Sequence, residues 1–101
     1  MAIYGILLPL PFDDVFDYSS EENLSIGQMV VVNFGREELV GVVWKIGKSS
    51  DIDIKKIKKI VSLVDLPKLS SSMISFIKKT AEYNMAKLGL VLKMVLGQKS
   101  N

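Results

Sequence analysis

The chain has 101 residues, 49% of them hydrophobic, which suits a single domain with a core of its own. It holds no cysteine and no histidine, which excludes disulfides, thiolate metal sites and the commonest general base. Net charge is +2 but divided: residues 1–50 carry three basic and seven acidic side chains, residues 51–101 ten lysines and four acids.

Ala2 to Leu8 reads as a buried strand, and Pro9, which cannot donate to a sheet ladder, ends it. A secretory signal is not read here, because no basic segment precedes the apolar run and Pro9 and Pro11 interrupt it. Val15 to Tyr18 has strand-forming residue types, and Ser19 to Asn23 is expected to turn. Met29 to Phe34 is a β-branched strand. Gly35 to Glu38 fits a hairpin connection, and Leu39 to Ile46 is the returning strand. Gly41 inside that strand marks a bulge or a close backbone approach. Ile52 to Lys59 alternates apolar and charged residues and fits either a strand or an extended loop, and Ile60 to Val64 reads as another strand.

The character then changes. Ser70 to Ser72 offer helix N-caps, and Met73, Phe76, Ile77, Thr80 and Ala81 recur at helical spacing, so residues 72–83 are predicted to form an amphipathic helix. Leu88 to Leu96 is a second apolar segment, with Gly97 as its C-cap. Strands first and helices last define an α+β domain: a small curved, antiparallel, barrel-like β-sheet followed by one or two C-terminal α-helices. The domain is expected over residues 1–97, with a tail at 98–101. No apolar stretch reaches the ~18 residues of a membrane span. The lysine excess, densest at Lys55-Lys56-Ile57-Lys58-Lys59, fits an anionic partner on one side, although charge alone favours a solubilising lysine face.

Three patterns occur in order: Leu8-Pro9-Leu10-Pro11 with Phe16-Asp17-Tyr18, then Gly27 to Arg36 with Gly41-Val42-Val43, then the lysine run ahead of Val61-Ser62-Leu63-Val64-Asp65. Together they resemble the N-terminal domain of the PriA family of replication-restart helicases, over about residues 2–96. Asn33 stands where that family usually has Pro, and Asn84-Met85-Ala86-Lys87 is unusual for it.

The resemblance implies a cytoplasmic DNA-binding domain that holds the free 3′ end of a single strand at a fork, as part of primosome assembly. It implies a non-catalytic fragment of an ATP-dependent 3′→5′ helicase. Primosome proteins would be partners of the full-length protein, and no membrane is involved. No cofactor is expected in this chain, since ATP, Mg and Zn belong to downstream domains of the family. The family's terminal-nucleotide contacts fall on Phe16, Asp17, Gly35 and Lys58. Asp17 would accept the 3′-hydroxyl and repel a phosphate in its place. Phe16 would wall the pocket, Gly35 would let backbone approach the base, and Lys58 would meet the nucleotide with charge or backbone. Arg36 is a further candidate for a flanking phosphate.

Residue type alone favours Phe16 as a core aromatic, Asp17 as a turn cap, Gly35 as a plain hairpin glycine and Lys58 as one of four surface lysines. A register slip of one to three residues would exchange Lys58 for Lys55, Lys56 or Lys59. Tyr4, Tyr18, Trp44 and Tyr83 are too scattered to make a stacking platform. The competing function is a small β-barrel module that binds protein and recognises no DNA end. A stand-alone enzyme finds little support, with only Asp13-Asp14 as paired carboxylates.

Overall fold

A computed structural model describes residues 2–48 and 53–97. Six strands form one curled sheet: β1 (Ala2–Leu7), β2 (Phe16–Ser20), β3 (Met29–Phe34), β4 (Glu37–Ile46), β5 (Lys58–Lys59) and β6 (Ser62–Leu63), in the spatial order β5-β2-β1-β4-β3-β6. Two helices follow, α1 (Ser71–Tyr83) and α2 (Leu88–Gly97). The α+β class and the barrel-like curl are as expected. The sheet is mixed, however, because β5 runs parallel to β2 while every other pair is antiparallel.

The curl is drawn together by one short segment. β5 pairs with the outer edge of β2, and four residues later β6 pairs with the outer edge of β3. Between them, the Ile60 N–H donates to Ser19 O and the Val61 N–H donates to Val31 O, both at 2.8 Å. Residues 58–63 thus stitch the two free edges of a half-barrel, satisfying backbone groups that would otherwise lie open. The strand expected over Ile60 to Val64 is therefore only two residues long, since the chain kinks at Ile60 to change partner. Of the ambiguous Ile52 to Lys59 run, Ile52 lies outside the described residues, Ile54–Lys56 is a 3₁₀ turn, and only Lys58–Lys59 is strand.

Both faces of the sheet are buried. Tyr4, Ile6, Leu8, Tyr18, Val30, Val32 and Val43 fill the inside of the curl. Leu7, Met29 and Val42 face the other way, onto Ile77 and Ala81 of α1 and Val91 and Leu92 of α2. This two-sided burial explains why β1 and β3 read as continuous apolar runs. It also explains β2, where the expected turn at Ser19 and Ser20 is instead strand, with Ser19 only 2% exposed. Pairing with β1 on one side and with β5 on the other overrides the polar side chains.

β4 begins at Glu37, two residues before the expected start, leaving Gly35-Arg36 as a two-residue hairpin loop. Gly35, at φ +62, takes the first central position, as a type II′ turn requires. At Gly41 the close approach is present: an added Cβ would sit 2.5 Å from Ile6 Cγ2 and 2.9 Å from Leu7 O. The bulge lies elsewhere, where Gly5 pairs with Lys45 and Ile6 with Val43, so that Trp44 is the extra residue.

Ser70 caps α1, its hydroxyl accepting from Met73 N at 3.1 Å. The buried stripe of α1 is Ile74, Ile77 and Ala81, whereas Phe76, expected on the apolar face, is 57% exposed. The helix ends in a Schellman turn without glycine. Met85 takes φ +54, Ala86 N donates to Ala81 O, and Met85 N donates to Glu82 O. The unusual Asn84 to Lys87 segment is this turn. α2 runs on through Gly97, which the sequence placed as its cap, and the tail expected at 98–101 lies outside the described residues.

Candidate nucleic-acid interface

A cavity of about 220 Å³ opens at one end of the curl, where the edge of β2, the tip of the β3–β4 hairpin and the segment entering β5 converge. Its lining includes Phe16, Asp17, Gly35 and Lys58, four residues drawn from three distant stretches of sequence. Tyr18, Asn33, Phe34 and Lys56 complete it. Arg36 is exposed on the hairpin tip and is not part of the lining.

The opening exists because β2 is paired along only part of its outer edge. β5 begins level with Tyr18. Just before that point the chain forms the 3₁₀ turn Ile54–Lys56, and among the described residues β5 pairs with β2 only at Tyr18 and Ser19. Asp53 holds this turn, its Oδ1 accepting from Lys55 N at 3.1 Å and its carbonyl from Lys56 N at 2.8 Å.

Opposite β2, the hairpin is held in place by side chains. Tyr18 donates its hydroxyl to Asn33 O at 2.7 Å. Phe16 and Phe34 meet edge to face at 5.2 Å between ring centres, and Phe12 meets Phe16 likewise at 5.8 Å. Burial pushes the Tyr18 phenol above its ordinary pKa, which keeps it the protonated donor this bond needs. Tyr18, Asn33 and Phe34 were not among the predicted site residues, and Lys56 entered only as a register alternative to Lys58. Tyr18 directly follows Asp17, but neither the bond to Asn33 nor the place of Lys56 at the recess leaves a trace in a linear pattern.

Polarity in the pocket is graded with depth. Tyr18 is buried, Phe16, Asp17 and Phe34 are half-buried, and Gly35, Lys56 and Lys58 stand exposed at the rim. One carboxylate therefore lies deeper than two ammonium groups. A Cβ added at Gly35 would meet nothing within 4 Å. The volume is below the ~300–1,000 Å³ of sites that enclose a whole small molecule. Such a recess can take the end of a ligand, with a hydrogen-bond donor pointing inward and negative charge kept at the mouth.

A larger opening, of about 590 Å³, lies at the junction of α1 and α2, lined in part by Asp13, Lys78, Glu82 and Lys87. There the charges answer one another: Lys87 Nζ lies 3.4 Å from Asp13 Oδ2, and Asp13 Oδ1 accepts from Leu88 N at 2.9 Å. Its size reflects the gap between two helices and a loop, and it gathers none of the sequence-derived site residues. Among the described residues, no group of three or more Asp or Glu side chains is placed to hold a metal ion, and no helix is long and apolar enough to cross a membrane.

Fold and pocket together define a small half-barrel binding domain with an acidic recess and a basic rim. Its sequence over residues 5–97 matches the 3′ DNA-binding domain (3′BD) of PriA. The replication restart protein PriA of Rickettsia typhi is 39% identical over 99 residues, which is 95% of this chain and 15% of that protein. The Haemophilus influenzae protein of the same name is 32% identical over 99 residues, covering 95% of this chain and 14% of its own length. The chain belongs to the PriA 3′ DNA-binding domain family, and it spans about 15% of the length of such relatives.

Proposed function

We propose that this domain binds single-stranded DNA by its free 3′ end, with the terminal 3′-hydroxyl donating to the Asp17 carboxylate. The observation that carries the reading is the convergence of Phe16, Asp17, Gly35 and Lys58 on one recess. A carboxylate is a strong acceptor for a hydroxyl and repels a phosphate. A strand that ends at the recess is therefore favoured over one that continues through it or carries a 3′-phosphate. Phe16 and Phe34 wall the sugar, and the open side of Gly35 admits the base against backbone, which tolerates all four bases. Lys58 lends charge at the rim. In a full-length protein this domain would serve fork recognition by a replication-restart helicase. ATP hydrolysis, any metal ion and contacts with other primosome proteins would then belong to regions outside this chain.

The test compares short oligonucleotides that differ only at the 3′ position. DNA with a free 3′-hydroxyl is expected to bind more tightly than the same strand with a 3′-phosphate. Asp17→Ala should weaken binding of the first and narrow the gap, with the melting temperature nearly unchanged. Equal affinity of the wild-type domain for the two strands would overturn the reading. Failure to bind either strand at modest salt would favour a protein-binding module instead.

A further inference from the structure

We infer that Lys56, and not Arg36, carries the phosphate that enters with the terminal nucleotide, an inference that rests on end-binding at Asp17. Of the lysine run at 55–59, Lys56 and Lys58 line the recess, whereas Lys59 faces a separate opening beside Ser20, Glu21 and Glu22. Lys56 and Lys58 stand at different heights. The parallel register sets Lys58 level with Tyr18. Lys56 closes the 3₁₀ turn that leads into β5 and lines the recess together with Phe16 and Asp17. The 3₁₀ turn, held by Asp53, fixes that position.

The depth order decides what each group meets. With a terminal hydroxyl on half-buried Asp17, the 5′-phosphate of the same nucleotide lies one sugar away, toward solvent. That phosphate is repelled by the carboxylate of the recess. It comes to rest on the exposed rim, where Lys56 supplies a compact positive charge on a flexible stem. Arg36, at the exposed tip of the hairpin, lies outside the lining. The pair Asp17 and Lys56 thus reads one nucleotide by both of its ends: a hydroxyl where the strand stops and a phosphate where it continues.

The experiment measures binding of a short oligothymidine with a free 3′-hydroxyl across a salt series, for the wild type, Lys56→Ala, Lys56→Arg, Lys55→Ala and Arg36→Ala. Lys56→Ala should weaken binding about fivefold at low salt and lower the slope of log K against log salt by about 0.7, the value for one single-strand phosphate contact. Lys56→Arg should restore the slope. Lys55→Ala and Arg36→Ala should leave it unchanged. A second probe carries a neutral methylphosphonate at its last linkage; on it, wild type and Lys56→Ala should bind alike. In Lys56→Ala the preference for 3′-hydroxyl over 3′-phosphate should persist, because that preference belongs to Asp17. An unchanged slope in Lys56→Ala, a loss that persists on the neutral linkage, or a loss that appears in Arg36→Ala would each overturn the assignment. A wild-type domain that does not distinguish the two 3′ ends would instead bring down end-binding itself, and this inference with it.

Discussion

A methyl group added at Gly89 would run into the backbone oxygens of Leu8 and Leu10, whereas the same group at Gly35 would meet nothing within 4 Å. The first glycine sits against the connection between β1 and β2, the second beside the recess at the start of β2. At the first, that connection seats the start of α2: Gly89 N donates to Phe12 O at 3.0 Å, and Leu88 N donates to Asp13 Oδ1 at 2.9 Å. At the second, Phe16 and Asp17 begin β2 and leave space between themselves and the hairpin. One glycine is there because the chain's own backbone occupies its Cβ position, the other because a turn needs positive φ beside an open recess. Substitutions at the helix seat should therefore register mainly in stability, and substitutions at the recess mainly in binding.

The sharpest way to break this comparison is Gly89→Ala. Two backbone oxygens cannot give way as a flexible side chain can, so the start of α2 must lift off the loop. A loss of about 3 kcal/mol is expected, at or beyond the usual range for overpacking, read as a lower midpoint in chemical denaturation. A near-neutral result would mean that α2 is not seated as closely as described. Tyr18→Phe should cost less, about 1 kcal/mol, because it removes the hydrogen bond that the buried Tyr18 donates to Asn33 O. Its effect on DNA affinity should exceed its effect on stability, since the bond also ties the hairpin tip to β2. Gly35→Ala should cost a similar ~1 kcal/mol, from the strain of a side chain at positive φ. Binding of 3′-hydroxyl DNA should nonetheless fall clearly, because the new methyl group projects beside the recess. If binding is retained, the open side of Gly35 is not where the nucleotide lies.

The strands were legible because two-sided burial produces unbroken β-branched and aromatic runs, and Gly35 marked the hairpin by its conformational freedom. Ser70 announced α1 by its capping chemistry. The closure of the half-barrel was not legible, since β5 and β6 are two residues each, lysine- and serine-bearing, and paired to strands about 30 to 40 residues earlier. No local pattern encodes such pairing. The face of α1 was misjudged because Met73-Phe76-Ile77 and Ile74-Ile77-Ala81 both satisfy helical spacing, and only packing against the sheet selects the second. At the recess, resemblance brought forward Phe16, Asp17, Gly35 and Lys58, while Lys56 and Asn33 needed the fold. Their neighbours in space come from other strands, and a lysine run does not say which of its members border the recess.

The smallest effect expected comes from acid, and it separates the two regions by pH. The Asp13 carboxyl is held below its ordinary value of 3.8, chiefly because it accepts from the Leu88 N–H, with Lys87 adding to the effect. A carboxyl that is more acidic folded than unfolded binds fewer protons in the native state, so its contribution is full above the unfolded value and fades as pH falls through the folded one. Wild type should therefore exceed Asp13→Asn in thermal midpoint at pH 7, and the difference should shrink as pH is lowered below the ordinary value. The helix seat loosens in that window while Asn, which keeps an acceptor oxygen but no charge, does not titrate. Preference for a 3′-hydroxyl over a 3′-phosphate, measured at pH 7, should be the same in Asp13→Asn as in wild type. If that preference fell with the midpoint, the seat of α2 and the recess at Asp17 would be one coupled structure, and the contrast between the two glycines would be one of packing only.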